Sequence, residues 1–285
     1  NGRFSPRRPL SFLLSWSCSS QEMGKCGLPP QSCRCPEVDL NQARRLLSEI
    51  PNHARVLDVG GGASPFPRAD HVIDALPFDA AGAGSSGSSH KVLNVLPRYS
   101  RERWTQFDLC SHQPWPFADK SFDFAVCTHV LEDVRDPIWI CSELSRVAHA
   151  GYIEVPSRVL EQSRGVEHPR IAGYSHHRWL ISKSGHTLEF RHKPHVLNAL
   201  NHAIVVDLPP GRIITPAHAI VSHDWVGRVE AQEIMEFNEK AVLDELCSFA
   251  SDARRLSNLT TTIPMPLLRR IKRHLYFWRL ARGHR

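Results

Sequence analysis

Asp58 and Asp74 each sit in or at the end of a short apolar run, and three consecutive glycines, Gly60, Gly61 and Gly62, lie between them. Residues of these types in this order can hold a nucleoside. Glycines let backbone amides approach a ligand where a Cβ would clash, and an acid ending a second strand can accept both hydroxyls of a ribose. Farther along, Asp108 closes a third apolar run, and Thr128 and His129 follow a fourth. His176, His177 and Arg178 cluster in a polar, aromatic stretch. His129 and His177 are candidates for proton transfer, because imidazole exchanges protons near neutral pH; a hydrogen bond from His129 to backbone is the alternative. His176, His177 and Arg178 are candidates for contacting an acceptor, and Arg178 with Trp179 could instead serve packing. Adjacent residues on a strand point to opposite faces, so a strand here would keep the two histidines from acting together.

The kind of nucleoside follows from the turn. A dinucleotide fingerprint, Gly-x-Gly-x-x-Gly, needs a third glycine for close helix–strand packing. Counting from Gly60, that position is Pro65, and Pro67 follows. Two prolines oppose a regular helix there, so a phosphate cradle at a helix N-terminus is not expected. S-adenosylmethionine carries a ribose and an adenine but an amino acid and a sulfonium in place of phosphates. The turn therefore favours a methyl donor over NAD.

Several elements must position these residues. Asp39 followed by Gln42 forms a capping box. Leu40, Ala43, Leu46, Leu47 and Ile50 share one helical face, and Pro51 stops that helix. Strands are expected over 55–59, 71–75, 105–109, 122–127 and 151–155. Asp136-Pro137 caps a helix running to Val147. The alternation over 39–157 predicts a doubly wound, mostly parallel α/β sheet whose ligands bind beyond the carboxyl ends of its strands. Asp58, Asp74, Asp108 and Thr128-His129 all fall at or near that edge. Beyond 157 the pattern becomes irregular. Short strands are expected near 187–191, 203–208, 217–221 and 225–230, then a long helix over 231–256. Glu154 and Arg158, flanking the fifth strand's end, could pair with each other.

The stretch Trp115-Pro116-Phe117-Ala118-Asp119-Lys120-Ser121-Phe122-Asp123, continuing to His129-Val130-Leu131-Glu132-Asp133-Val134-Arg135-Asp136-Pro137, resembles class I S-adenosylmethionine-dependent methyltransferases. More narrowly, it resembles their type 11, small-molecule branch. With Leu57–Gly62 the resemblance spans about 55–157. It implies that Asp58, Gly60, Gly61 and Gly62 meet the methionine end of S-adenosyl-L-methionine and that Asp74 binds its ribose. It further implies that Asp108 with Leu109 holds the adenine and that Thr128 and His129 line the donor pocket. The family's second histidine after strand 4 is Asp133 here, and Pro65 and Pro67 break the helix that usually follows the glycines. The expected activity is methyl transfer to a small-molecule acceptor, with oxygen as the expected atom. The alternatives are RNA methylation and a non-catalytic donor-binding scaffold. The N/D-P-P-Y/F signature of base aminomethylases does not occur after strand 4, which reads Cys127-Thr128-His129-Val130.

Composition bounds the remaining choices. The 285 residues carry a formal charge of +6, but the ends hold it. Residues 1–36 contain five basic residues and one acid, and 267–285 contain seven basic residues and no acid. The body between them holds 23 basic against 28 acidic residues, so it offers no broad nucleic-acid footprint. The basic tail, with Leu268, Ile271, Leu275 and Trp278 at helical spacing, suits an anionic surface or an acidic partner, or else a terminal helix tucked onto the body. Of eight cysteines, four lie in the N-terminal stretch, and Cys110, Cys127, Cys141 and Cys247, scattered through apparent core elements, suggest free thiols in a reducing, cytoplasmic setting. No metal site is expected, since neither the seventeen histidines nor Cys26, Cys33 and Cys35 show a ligand set with the needed spacing. No stretch is long and apolar enough to span a bilayer. The expected organisation is a disordered extension over 1–36, with Met23 a candidate start, then a donor-binding core over 37–157. A sheet-completing and substrate-capping segment follows over 158–262, and a basic tail over 263–285.

Overall fold

In a computed structural model, which describes residues 39–62, 64–80, 93–168, 170–199, 201–209 and 212–262, the apolar runs assemble into a six-stranded sheet. Helix α1 (Leu40–Glu49) precedes strands β1 (Val56–Val59), β2 (His71–Asp74), β3 (Trp104–Gln106) and β4 (Phe122–Thr128). Helix α2 (Pro137–Val147) leads into β5 (Ala148–Pro156), which is followed by the short helix α3 (Arg158–Glu161). Later elements include strands β6 (Trp179–Ser184), β7 (Thr187–His192), β8 (Ile220–Val226) and β9 (Glu230–Glu233) and helix α4 (Glu239–Arg254), with shorter strands among and after them. The main sheet has the order β3-β2-β1-β4-β5-β8, parallel throughout except for β8, which runs antiparallel to β5. Chain order reverses between β1 and β4, the place where open α/β sheets form a ligand crevice.

Both faces of the sheet are covered, which explains why β1 is buried at every position. One face packs Leu57, Val59, Ile73, Ala125, Cys127 and Ile153 against Ile140, Cys141, Leu144 and Val147 of α2. The other packs Val56, Val126 and Tyr152 against Leu46 and Ile50 of the first helix segment. Phe66 joins this second cluster at 2% exposure. Its place matters, because the β1–β2 crossover contains no helix among its described residues. Pro65 and Pro67 prevent one, and buried Phe66 and Ala69 supply apolar cover instead. Arg68 ties the crossover down by donating to the carbonyls of Pro51, Asn52 and Ala54 and to Asp70 Oδ2.

The capping box is half formed. Asp39 Oδ1 accepts the amides of Asn41 and Gln42, but the Asp39 amide donates to Glu154 Oε1 rather than to Gln42. The third strand ends at Gln106, so Asp108 lies in the turn beyond it. A single strand, β8, replaces the two expected near 217–221 and 225–230, and the last helix begins at Glu239 instead of 231. Strand β6 was not anticipated. It pairs with β7, which pairs with β9, in a separate three-stranded sheet. The expectations for residues 1–36 and for the basic tail fall outside the described residues. Among those described, Cys110, Cys127, Cys141 and Cys247 are free thiols, and no helix is long and apolar enough to cross a membrane.

Candidate functional site

The glycine turn leaves β1 at the switch point. Gly60 (φ +72°) and Gly62 (φ +52°) occupy left-handed backbone that most side chains resist. A Cβ on Gly60 would lie 2.3 Å from Val130 Cγ2, so the turn also packs closely on the segment leaving β4. Two acids organise it from below. Asp58 Oδ2 accepts the Phe66 amide at 2.7 Å, and Asp74 accepts the amides of Gly62 (2.7 Å) and Leu76 (2.6 Å). Burial pushes the Asp58 carboxyl up to about 7, with the neighbouring Asp74 adding to the effect, while its amide donors oppose it. Burial also raises Asp74. Each Asp74 oxygen keeps a second lone pair, so holding the loop does not use up its capacity to accept. The Phe107 amide donates to the Asp74 carbonyl, which brings the end of the β3 segment alongside. Asp108 is exposed there, its Oδ1 accepting the Cys110 amide, while Leu109 is buried in the main core.

On the other side of the switch point, Thr128 ends β4 and His129 adopts φ +55°. The His129 amide donates to the Glu154 carbonyl. Its ring lies between two buried glutamates, with Nε2 3.2 Å from Glu154 Oε1 and Nδ1 3.4 Å from Glu132 Oε1. Burial alone disfavours the imidazolium, but the two carboxylates outweigh it and raise the pKa to about 9. A ring held protonated between two acids is a poor proton acceptor at neutral pH. The base role expected of His129 is therefore opposed by its surroundings. Glu154 also accepts the Tyr152 hydroxyl at 2.6 Å and the Asp39 amide. It does not pair with Arg158, whose guanidinium meets both carboxylate oxygens of Glu245 and stacks over Phe249.

The stretch around His176 is a turn and not a strand, so the alternation that would separate the two histidines does not operate. Their rings lie 4.5 Å apart. Gly173 (φ +58°) permits this arrangement, since a Cβ there would strike Glu161 at 2.3 Å. Glu161 is fully buried and accepts His177 Nδ1 at 2.8 Å and Lys193 Nζ at 2.7 Å. Burial acts against its charge, yet these two partners hold its pKa below the usual carboxylate range. The Arg178 amide donates to the Glu132 carbonyl at 2.8 Å, joining the turn to the segment after β4. The Arg178 side chain is exposed. Trp179 is buried and donates Nε1 to the Val134 carbonyl, a packing role.

The predicted residues thus form two groups on one edge: the turn with Asp58, Asp74 and Asp108, and a second turn, termed the roof, with His176, His177 and Arg178. Thr128 and His129 stand on the segment that packs against the first and is hydrogen-bonded to the second. Glu132, Glu154, Glu161 and Lys193 were missed as partners. Only Glu132 lies within a recognisable motif. A cavity of about 400 Å³ lies instead by Arg55, His71, Arg103 and Phe122, near the strands' amino ends. Parallel sheets bind ligands at the opposite edge, so it is not assigned to the donor.

A family model described as a methyltransferase domain matches residues 38–184. The chain belongs to this family. S-adenosylmethionine is the donor that membership brings, in agreement with the motif after strand 4. No curated protein matches the sequence. Similar solved structures include the YcgJ protein of Bacillus subtilis, with 23% identity, 41% of this chain and 51% of that chain covered, and a TM-score of 0.29. A methyltransferase of Thermotoga maritima shows 21% identity, 44% and 53% coverage and a TM-score of 0.28. One of Aquifex aeolicus shows 18% identity, 43% and 75% coverage and a TM-score of 0.28. The chain spans about half the length of the first two. Membership follows from the domain match alone.

Proposed function

We propose that this protein transfers a methyl group from S-adenosylmethionine to a small-molecule acceptor, with oxygen as the atom methylated. The observation that carries the donor half is the convergence of Gly60–Gly62, Asp74 and Asp108 on one sheet edge beside the β1/β4 switch point. The donor supplies an electrophilic methyl carbon on a sulfonium, so alignment accounts for much of the catalysis. Asp74 accepts the ribose hydroxyls, and the glycine backbone leaves room for the methionine end. Asp58 keeps the turn in shape. Asp108 and Leu109 border the adenine, and Thr128 lines the pocket with the His129 backbone. The imidazolium of His129 fixes the segment between Glu132 and Glu154. His176, His177 and Arg178 form the acceptor side, with His177 oriented by Glu161.

Calorimetry with S-adenosylhomocysteine tests the donor half. Binding should be micromolar in scale, and Asp74→Ala should weaken it roughly 10–100-fold, the equivalent of losing hydrogen bonds to a charged group. Tight NAD binding with no response to S-adenosylhomocysteine would overturn the assignment. Labelled-methyl transfer into a total extract holding both small molecules and RNA tests the acceptor half; label appearing only in RNA would refute it.

A further inference from the structure

Asp133, His176 and His177 each offer one ligand atom, and these atoms lie within 4.8 Å of one another. Asp133 Oδ1 is 4.0 Å from His176 Nε2 and 4.0 Å from His177 Nε2. Such separations are too long for hydrogen bonds, so the three side chains converge on a common point without bonding one another. Closing onto an ion at about 2.0–2.2 Å requires small movements of Asp133 and His176, both exposed. His177 is the fixed member. It is buried, and its Nδ1 is bound to Glu161, which directs Nε2 toward the cluster. A ligating histidine whose other nitrogen is bonded to a carboxylate is the usual supporting arrangement of a metal site. Lys193 neutralises that carboxylate in turn.

We propose that Asp133, His176 and His177 bind one divalent transition-metal ion whose open positions take an oxygen atom of the acceptor. Two imidazoles and one carboxylate suit zinc, cobalt, manganese or iron(II), whereas magnesium and calcium take oxygen ligands. Three protein ligands leave positions open, as in catalytic and not structural sites. Asp133 stands on the segment leaving β4, and the histidines are tied to that segment by the Arg178–Glu132 backbone bond. The ion is therefore on the edge that holds the donor residues. Its acceptor role rests on the methyltransferase reading; its presence does not. The departure from the family pattern at Asp133 is then one third of a ligand set, not a loss.

The test uses the full chain, stripped with a chelator and titrated with Co²⁺. One equivalent should bind and give visible d–d absorption. His176→Ala and Asp133→Asn, both changes at exposed positions, should abolish the band. Glu161→Gln, which leaves the three ligands in place, should weaken binding roughly 10–100-fold. S-adenosylhomocysteine affinity, measured on the same samples, should stay unchanged and so report that each variant is folded. Acetohydroxamate should shift the band by entering the open positions. Wild type and His176→Ala binding Co²⁺ alike would remove the site while leaving the donor assignment intact. A band that does not respond to acetohydroxamate would mean a closed site and overturn the acceptor role. Metal binding in a protein that ignores S-adenosylhomocysteine would likewise remove that role, this time through the methyltransferase reading.

Discussion

Asp58 and Glu161 are both carboxylates buried near one sheet edge, yet they ionise in opposite directions. Asp58 lies under the glycine turn with an amide donor and a second acid, Asp74, nearby, and burial pushes it up to about 7. Glu161 lies under the roof between His177 and Lys193, which pull it below its usual range against the effect of burial. The turn is held by backbone hydrogen bonds. The roof is held by charge. Substitutions should therefore behave differently in the two places, and three experiments set the contrast at risk.

The largest effect is expected at Glu161. Its removal leaves His177 Nδ1 and Lys193 Nζ without their shared acceptor in a buried site, and breaking a buried pair costs about 3–5 kcal/mol. Urea unfolding of Glu161→Ala at neutral pH should show a loss of that order. A loss below about 1 kcal/mol would mean that the roof is held by its apolar contacts, and the distinction between the two regions would fail.

Gly60→Ala should come next. The new Cβ would meet Val130 Cγ2 at 2.3 Å and adopt φ +72°. Overpacking and the left-handed conformation together cost about 2–4 kcal/mol. Trimming Val130 to alanine in the same chain should recover the packing part and leave the backbone part. Full recovery in the double variant would show that the positive φ carries no penalty, and thus that the turn is not confined by its backbone.

The two regions also differ in how far the sequence discloses them. Asp58, the three glycines and Asp74 are contiguous along one strand–turn–strand unit, so spacing alone places them together. Pro65 and Pro67 even indicate the missing helix, because proline acts locally. The roof draws on Asp133, Glu161, His176, His177 and Lys193, five residues from four segments. Nothing local specifies that Glu161 meets both His177 and Lys193. The alternation rule misjudged the histidine pair because it presumes a strand, and Gly173 instead lets a turn press against α3. His129 differs in another way. Its position after β4 was legible, but the two glutamates that flank its ring come from different segments, one of them on β5. A residue's place in a motif was readable; its protonation state was not.

The finest test reads the two acids through pH. A carboxyl raised from about 3.9 to about 7 binds a proton in the folded protein that the unfolded chain has already released. Its contribution to stability is full below about pH 4 and is lost as the pH rises through 7. Glu161 has the opposite sign. Its lowered folded pKa contributes stability above the unfolded value, about 4.3, and loses it as the pH falls toward the folded value. Other groups titrate in the same range, so the useful quantity is the difference between wild type and a variant that cannot titrate. Asp58→Asn keeps an oxygen for the Phe66 amide and removes only the ionisation. Wild-type stability relative to this variant should fall between pH 4 and 7 and then level off. Relative to Glu161→Gln, wild type should instead lose ground as the pH drops below about 4.5. Two difference curves sloping the same way would mean that Asp58 is ionised in the fold, as Glu161 is. The turn would then need a cationic partner that its amide donors do not provide.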